Sequence, residues 1–177
     1  MSNQTTQQAL PTGTWTGDKI HSTIGFAVPY LAGTFQGTFS DFDARLSDGA
    51  LSGSAEVASI QAKDPNLETH LQSPDFFDAE RFPQLRFEAQ DIRRSGDDLE
   101  ITGELTLKGH TEPVEITGHV TDPAADPYGG ERFGLQLETK VDRTRFGINW
   151  NNPLPSGDPA LASEVTIVVD LQLVKEP

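Results

Sequence analysis

The chain has no cysteine, which excludes disulfides, zinc–thiolate centres and cysteine nucleophiles. It is poor in positive charge: 13 Lys and Arg stand against 27 Asp and Glu, a formal net charge of −14. Such a surface repels phosphate backbones and anionic lipid headgroups, so no nucleic-acid partner is expected. No run approaches the roughly 20 apolar residues of a membrane-spanning helix, so no stable membrane insertion is expected either. Met1 to Pro11 lacks the basic start and apolar stretch of an export leader, which predicts a cytoplasmic protein.

Catalytic signatures are missing as well. There is no Gly-x-Ser-x-Gly elbow, phosphate-binding loop or dinucleotide fingerprint. The 4 histidines, His21, His70, His110 and His119, form no His-x-x-x-His pair, and strand parity points His119 to solvent. His21 is read as a buried polar contact joining a strand to a lid. The expectation is therefore a protein without metal, cofactor or enzymatic activity.

What is abundant is period-two alternation. Ile24, Phe26 and Val28 share one face. Phe35, Gly37 and Phe39 continue it, and Phe42, Ala44 and Leu46 take the opposite parity, which places a bulge or sharp bend near Ser40-Asp41. Further apolar rows are Leu51-Gly53-Ala55-Val57, Leu85-Phe87-Ala89, Leu99-Ile101-Gly103-Leu105-Leu107 and Val114-Ile116-Gly118-Val120. Phe133-Leu135-Leu137 and Val165-Ile167-Val169-Leu171-Leu173 complete the set. The residues between them are mostly polar, so each strand has a buried and a wet side. Turn signals at Asp48-Gly49, Gly96-Asp97 and Lys108-Gly109 separate them. Residues 1–13 read as a flexible arm, 14–177 as one all-β domain, an antiparallel barrel of about eight strands.

One segment breaks the pattern. Asp64-Pro65 reads as an N-cap with proline at the first helical position, after which Leu67, His70 and Leu71 fall on one helix face. Ser73-Pro74-Asp75 starts a second turn that delivers Phe76 and Phe77. This segment is expected to form a short helical lid. The rows also contain Gly37, Gly53, Ala55, Ala89, Gly103 and Gly118. Two arrangements fit them equally: small inward residues leave a hollow for an apolar ligand, or glycines relieve strain in a filled barrel.

Several blocks together resemble the YceI-like, polyisoprenoid-binding family. They are Trp15-Thr16-Gly17-Asp18, His21 to Phe26, Gly33 to Phe39, His70 to Asp78, Phe82 to Phe87, Gly103 to Val114 and Asp142 to Gly147, in the family's order. The resemblance implies an extended, lipocalin-like barrel capped by the helix, with an apolar tunnel for an isoprenoid or fatty-acyl chain, and pairing as a homodimer. Together with parity, it places Phe26, Phe35, Phe39, Leu71, Phe76, Phe77, Phe87, Leu105 and Phe146 in the tunnel wall. This chain departs from the family at Tyr30, where His is common, at Leu67-Glu68, where Arg-Asp is common, and at Arg145, often acidic in relatives.

Arg143 and Arg145 can pair with a phosphate-bearing headgroup at the mouth, or with Asp142 and other carboxylates. The function implied is a carrier or reservoir for a long-chain lipid. The rivals are a lipid-processing accessory enzyme, for which His21 and Tyr30 are the polar candidates, and a stress-related interaction protein with a filled barrel.

Overall fold

The computed structural model describes residues 9–177. A hydrogen-bonded circuit of eight strands closes on itself: β1 (Thr14–Gly17), β4 (Phe42–Ser47), β5 (Ala50–Glu56), β7 (Gln84–Ser95), β8 (Asp98–Leu107), β9 (His110–Val120), β11 (Glu131–Asp142) and β12 (Glu164–Lys175). All pairings are antiparallel, and β12 pairs with both β1 and β11, which closes the ring. Closure gives every strand of this circuit a partner on both sides, which limits the exposed edge that is the usual hazard of open sheets.

At one end the barrel is extended. β2 (Thr23–Tyr30) pairs with the same edge of β12 as β1 does, β3 (Gly33–Phe39) pairs with β2, and β6 (Ile60–Gln61) pairs with β3. So β1 and β2 act as one interrupted strand, and β3 and β4 as one bent strand. The bend lies at Ser40-Asp41, where the parity switch predicted it: Ser40 N–H donates to Ser59 O (3.2 Å) and Glu56 N–H to Asp41 O (2.9 Å). A two-residue strand, β10 (Ala124–Ala125), pairs with the start of β11.

The tight turns follow their chemistry. Asp48-Gly49 and Lys108-Gly109 both have positive φ at both positions, the two-residue hairpin turn whose twist matches the strands. The helix α1 (Pro65–Gln72) starts as predicted, with the Asp64 carboxylate accepting from Asn66 N–H at 2.7 Å. Glu68 then accepts from Ala62 N–H (2.9 Å), fastening the helix to the strand before it.

The end carrying the 47–50 and 95–98 turns is solid. Trp15, Leu46, Leu99, Ile101, Leu135 and Leu173 are among the most deeply buried side chains, and the Trp15 ring meets Phe133 edge-on at 4.8 Å. Outside this plug, Arg132 bridges Asp18 and Asp126 (2.8 Å to the latter). Arg132 first, then His21, holds the Asp18 carboxyl well below its ordinary range. Of the arm expected over residues 1–13, residues 1–8 lie outside the described residues. Of the rest, Ala9 and Thr12 are exposed, Leu10 is buried in the core, and Trp15 Nε1 donates to Thr12 O. A lone leucine in a polar segment has no period to reveal it.

Candidate functional site

At the opposite end the barrel is hollow. A cavity of about 420 Å³ lies under α1, with an almost wholly apolar wall. Its floor is the upper layer of the solid plug, including Leu51, Ile116, Leu137 and Leu171. The inward-pointing Ile24, Phe26, Leu85, Phe87, Val165, Ile167 and Val169 are half-buried rather than buried, because their inner faces border this space.

The lid is built as its sequence suggested. Leu67, His70 and Leu71 share the helix face over the cavity, and the turn at 73–78 adds Phe76 and Phe77. Phe77 N–H donates to Leu71 O (3.0 Å) and Asp78 N–H to Ser73 O (2.9 Å), which folds the turn back on the helix. Phe77 packs edge-on against Phe26 (5.9 Å) and Phe39 (5.7 Å), joining the lid to β2 and β3. Lys108 Nζ donates to Pro74 O (2.6 Å), tying the lid to the β8–β9 turn.

Eight of the nine expected wall residues line the cavity: Phe26, Phe35, Phe39, Leu71, Phe76, Phe77, Phe87 and Leu105. Phe146 does not. It lies in a 3₁₀ turn, Arg143–Phe146, where the strand alternation used to place it has ended. Such a turn repeats every three residues, so Arg143 and Phe146 are buried while Thr144 and Arg145 are exposed. Phe146 packs instead on the outer side of the wall between β9 and β11.

The same geometry separates the two arginines. Arg145 faces outward. Arg143 is buried, and its guanidinium donates to four backbone carbonyls: Ala162 (2.7 Å), Ile148 (2.8 Å), Trp150 (2.8 Å) and Leu161 (3.2 Å). Burial pushes its pKa down from the usual guanidinium value. Its donors hold the 147–163 loop in place, and this loop adds Ile148, Trp150 and Leu161 to the cavity wall.

Trp150 and His70 were not among the expected wall residues. His70 lies edge-on to Phe76 (4.9 Å) and Trp150 (5.0 Å), with Nε2 hydrogen-bonded to Asp75 at 2.9 Å. The available signal for Trp150 was a large aromatic in an otherwise Pro- and Asn-rich loop. His21 corrects an expectation: it lies in the break between β1 and β2, exposed rather than buried, and is paired with Asp18 (2.7 Å). The buried polar contact is its neighbour, Ser22, whose Oγ accepts from Gln172 N–H at 2.9 Å.

The glycines answer the question left open by the rows. A Cβ on Gly37 would lie 2.6 Å from the Phe26 ring, and one on Gly103 2.8 Å from the Phe87 ring. These glycines let the two rings lie flat against the wall instead of standing in the lumen. Of the small residues in the rows, Ala44 and Gly53 border the cavity directly. The hollow therefore depends on how aromatic rings are laid down as much as on small residues.

A closed antiparallel barrel of eight strands, solid at one end and hollow beneath a helical lid at the other, is a lipocalin-like barrel. Among such barrels the chain belongs to the YceI-like domain family, whose model matches residues 15–173. It is 29% identical over 164 residues to Protein YceI of Escherichia coli O17:K52:H18, covering 88% of this chain and 83% of that protein. Protein YceI of Salmonella newport is similar to the same extent. Among solved structures the fold resembles Burkholderia cenocepacia BcnA, with a TM-score of 0.77 at 22% identity, covering 88% of this chain and 98% of that one. It also resembles a polyisoprenoid binding domain from Saccharophagus degradans implicated in plant cell wall breakdown. There the TM-score is 0.72 at 12% identity, over 92% of this chain and 98% of that one. No helix among the described residues is long and apolar enough to cross a membrane.

Proposed function

We propose that this protein binds the tail of an isoprenoid or similar long-chain amphiphile inside the barrel and acts as a carrier or reservoir without chemically altering it. The observation that carries the reading is the lumen itself. A cavity of about 420 Å³ falls within the roughly 300–1,000 Å³ of small-molecule sites, and its wall is apolar nearly throughout. Among the described residues every fully buried side-chain nitrogen or oxygen has a hydrogen-bond partner, so no orphaned polar group behind the wall calls for a polar ligand.

Burying such a tail gains about 0.8 kcal/mol per CH₂, and ordering a flexible chain offsets part of this. A wall of this kind tolerates variation in chain length. A likeness to a polyisoprenoid binding domain supports the isoprenoid class over other tails. Pairing as a homodimer, implied by the family, and a cytoplasmic location belong to the same proposal.

The test is native mass spectrometry of the purified protein, with organic extraction of whatever it releases. The expected result is a stoichiometric apolar adduct, or one formed on incubation with farnesol. Protein that stays at its bare mass under both conditions would overturn the reading.

A further inference from the structure

The solid end is plugged and the lid end is tied down, so the route into the lumen needs a physical account. Above the plug the barrel wall has an incomplete seam. The β9–β11 ladder runs from Leu135↔Val120 to Glu138↔Thr117 and stops there. Both strands continue, β9 up to His110 and β11 to Asp142, each paired on its far side with β8 or β12. Pro113 lies in this unladdered part of β9; proline brings no N–H and is confined to strand edges and bulges.

A groove of about 570 Å³ lies outside the seam, and Val114, Glu138, Thr139 and Val141 border both this groove and the lumen. Two side chains stand in the gap. Thr139, buried and pointing inward in an otherwise apolar row, donates its hydroxyl proton to Glu115 O at 2.7 Å. Phe146, 1% exposed, fills the outer side. The lid end, by contrast, is held by the four Arg143 bonds, by Lys108 to Pro74, and by Leu31 N–H to Ala160 O and Ala162 N–H to Pro29 O. The seam is the more lightly fastened barrier.

We propose that the seam between β9 and β11 is the site where the amphiphile enters and leaves, tail inward and headgroup in the outer groove. Phe146 is its plug and the Thr139–Glu115 hydrogen bond its latch. This rests on tail binding in the lumen. The groove carries Glu112, Glu115, Glu138 and Asp142 against Lys140 and Arg145, so it suits an uncharged, hydrogen-bonding head such as an isoprenoid alcohol better than a phosphate or carboxylate.

Because the chain has no native cysteine, the seam can be locked selectively. The variant Glu115→Cys/Lys140→Cys places two outward thiols across it, joined by a short thiosulfonate cross-linker that dithiothreitol reverses. The probe is all-trans-retinol, an intrinsically fluorescent isoprenoid alcohol, transferred to phosphatidylcholine vesicles. Cross-linking should slow retinol release by about tenfold or more, with recovery on reduction, and Phe146→Ala should speed it severalfold.

Release unaffected by the cross-link would overturn the seam as the route while leaving tail binding intact. Absence of retinol binding before cross-linking would bring down both. Retinoic acid, the anionic analogue, should bind more weakly than retinol; equal affinity would remove the head from the groove.

Discussion

Replacing Arg143 by alanine should destabilise the fold without acting first on ligand headgroups. The guanidinium makes four hydrogen bonds to backbone carbonyls, and bonds to a charged group contribute about 1.5–3 kcal/mol each. Their simple sum overstates the loss, because removing a buried cation also removes its desolvation penalty and the loop carbonyls regain water. A net loss of about 3–5 kcal/mol is expected, as for breaking other buried charged contacts. In a chain of 177 residues each kcal/mol moves Tm by about 2–4 °C, so the melting point should fall by about 10 °C. Arg143→Lys should recover only part of this, since one ammonium cannot reach carbonyls spread over residues 148–162. The assay is thermal unfolding by circular dichroism, beside retinol and farnesyl diphosphate binding well below the transition. If Arg143→Ala melted within about 2 °C of the parent yet lost affinity for the diphosphate alone, the clamp would be refuted in favour of a headgroup contact.

Phe87→Glu puts a carboxylate into the lumen wall and should abolish retinol binding with the barrel still folded; unchanged binding would mean the tail lies elsewhere. Gly37→Val sets a side chain where the Phe26 ring now lies, 2.6 Å from the added Cβ, and should drive that ring into the lumen. Retinol affinity should fall by about tenfold, and Phe26→Ala in the same background should restore it; no rescue would show that ring placement is not the cause. Asp18→Asn should lower stability at neutral pH by about 1–2 kcal/mol, since Asp18 is largely shielded within its pairing with Arg132 and His21. The folded carboxyl is depressed, so its contribution is full above its unfolded value near pH 4 and lost as pH falls toward the folded value. Urea unfolding should give a parent–variant gap that is steady from pH 5 to 7 and narrows below about pH 4. A gap that widened in acid would refute the assignment.

How much of this could be read in the residues depended on whether a regular period was present. The alternating rows identified the barrel and its inward faces, and the broken parity at Ser40-Asp41 located the bend. Asp64-Pro65 announced the lid, and the helical spacing of Leu67, His70 and Leu71 found the face that covers the cavity. Failures began where the period changed. Across 143–146 a three-residue repeat replaces the two-residue one, which turned Phe146 out of the lumen and separated Arg143 from Arg145. The 147–163 loop has no period, so no pattern placed Leu161 in the wall and only its size and setting marked Trp150. The glycines were ambiguous for another reason: whether Gly37 leaves space or receives a ring depends on the cross-strand position of Phe26, its register partner.

The division into solid and hollow halves is itself informative about energetics. At about 24 cal/mol per Å³, the scale for cavities left in well-packed cores, a void of about 420 Å³ would represent about 10 kcal/mol of forgone packing. That figure is an upper bound, since a cavity with openings admits water, yet it equals the whole stability of an ordinary domain. A barrel that carries such a void needs compensation in its other parts. The compensation is visible in the plug around Trp15, the closed strand circuit, and the Arg143 bonds that hold the cavity's rim. An occupant would restore the missing contacts in this region. Tail binding of the kind proposed would therefore be coupled to folding stability through the same apolar wall, with the lid residues Leu71, Phe76 and Phe77 serving both.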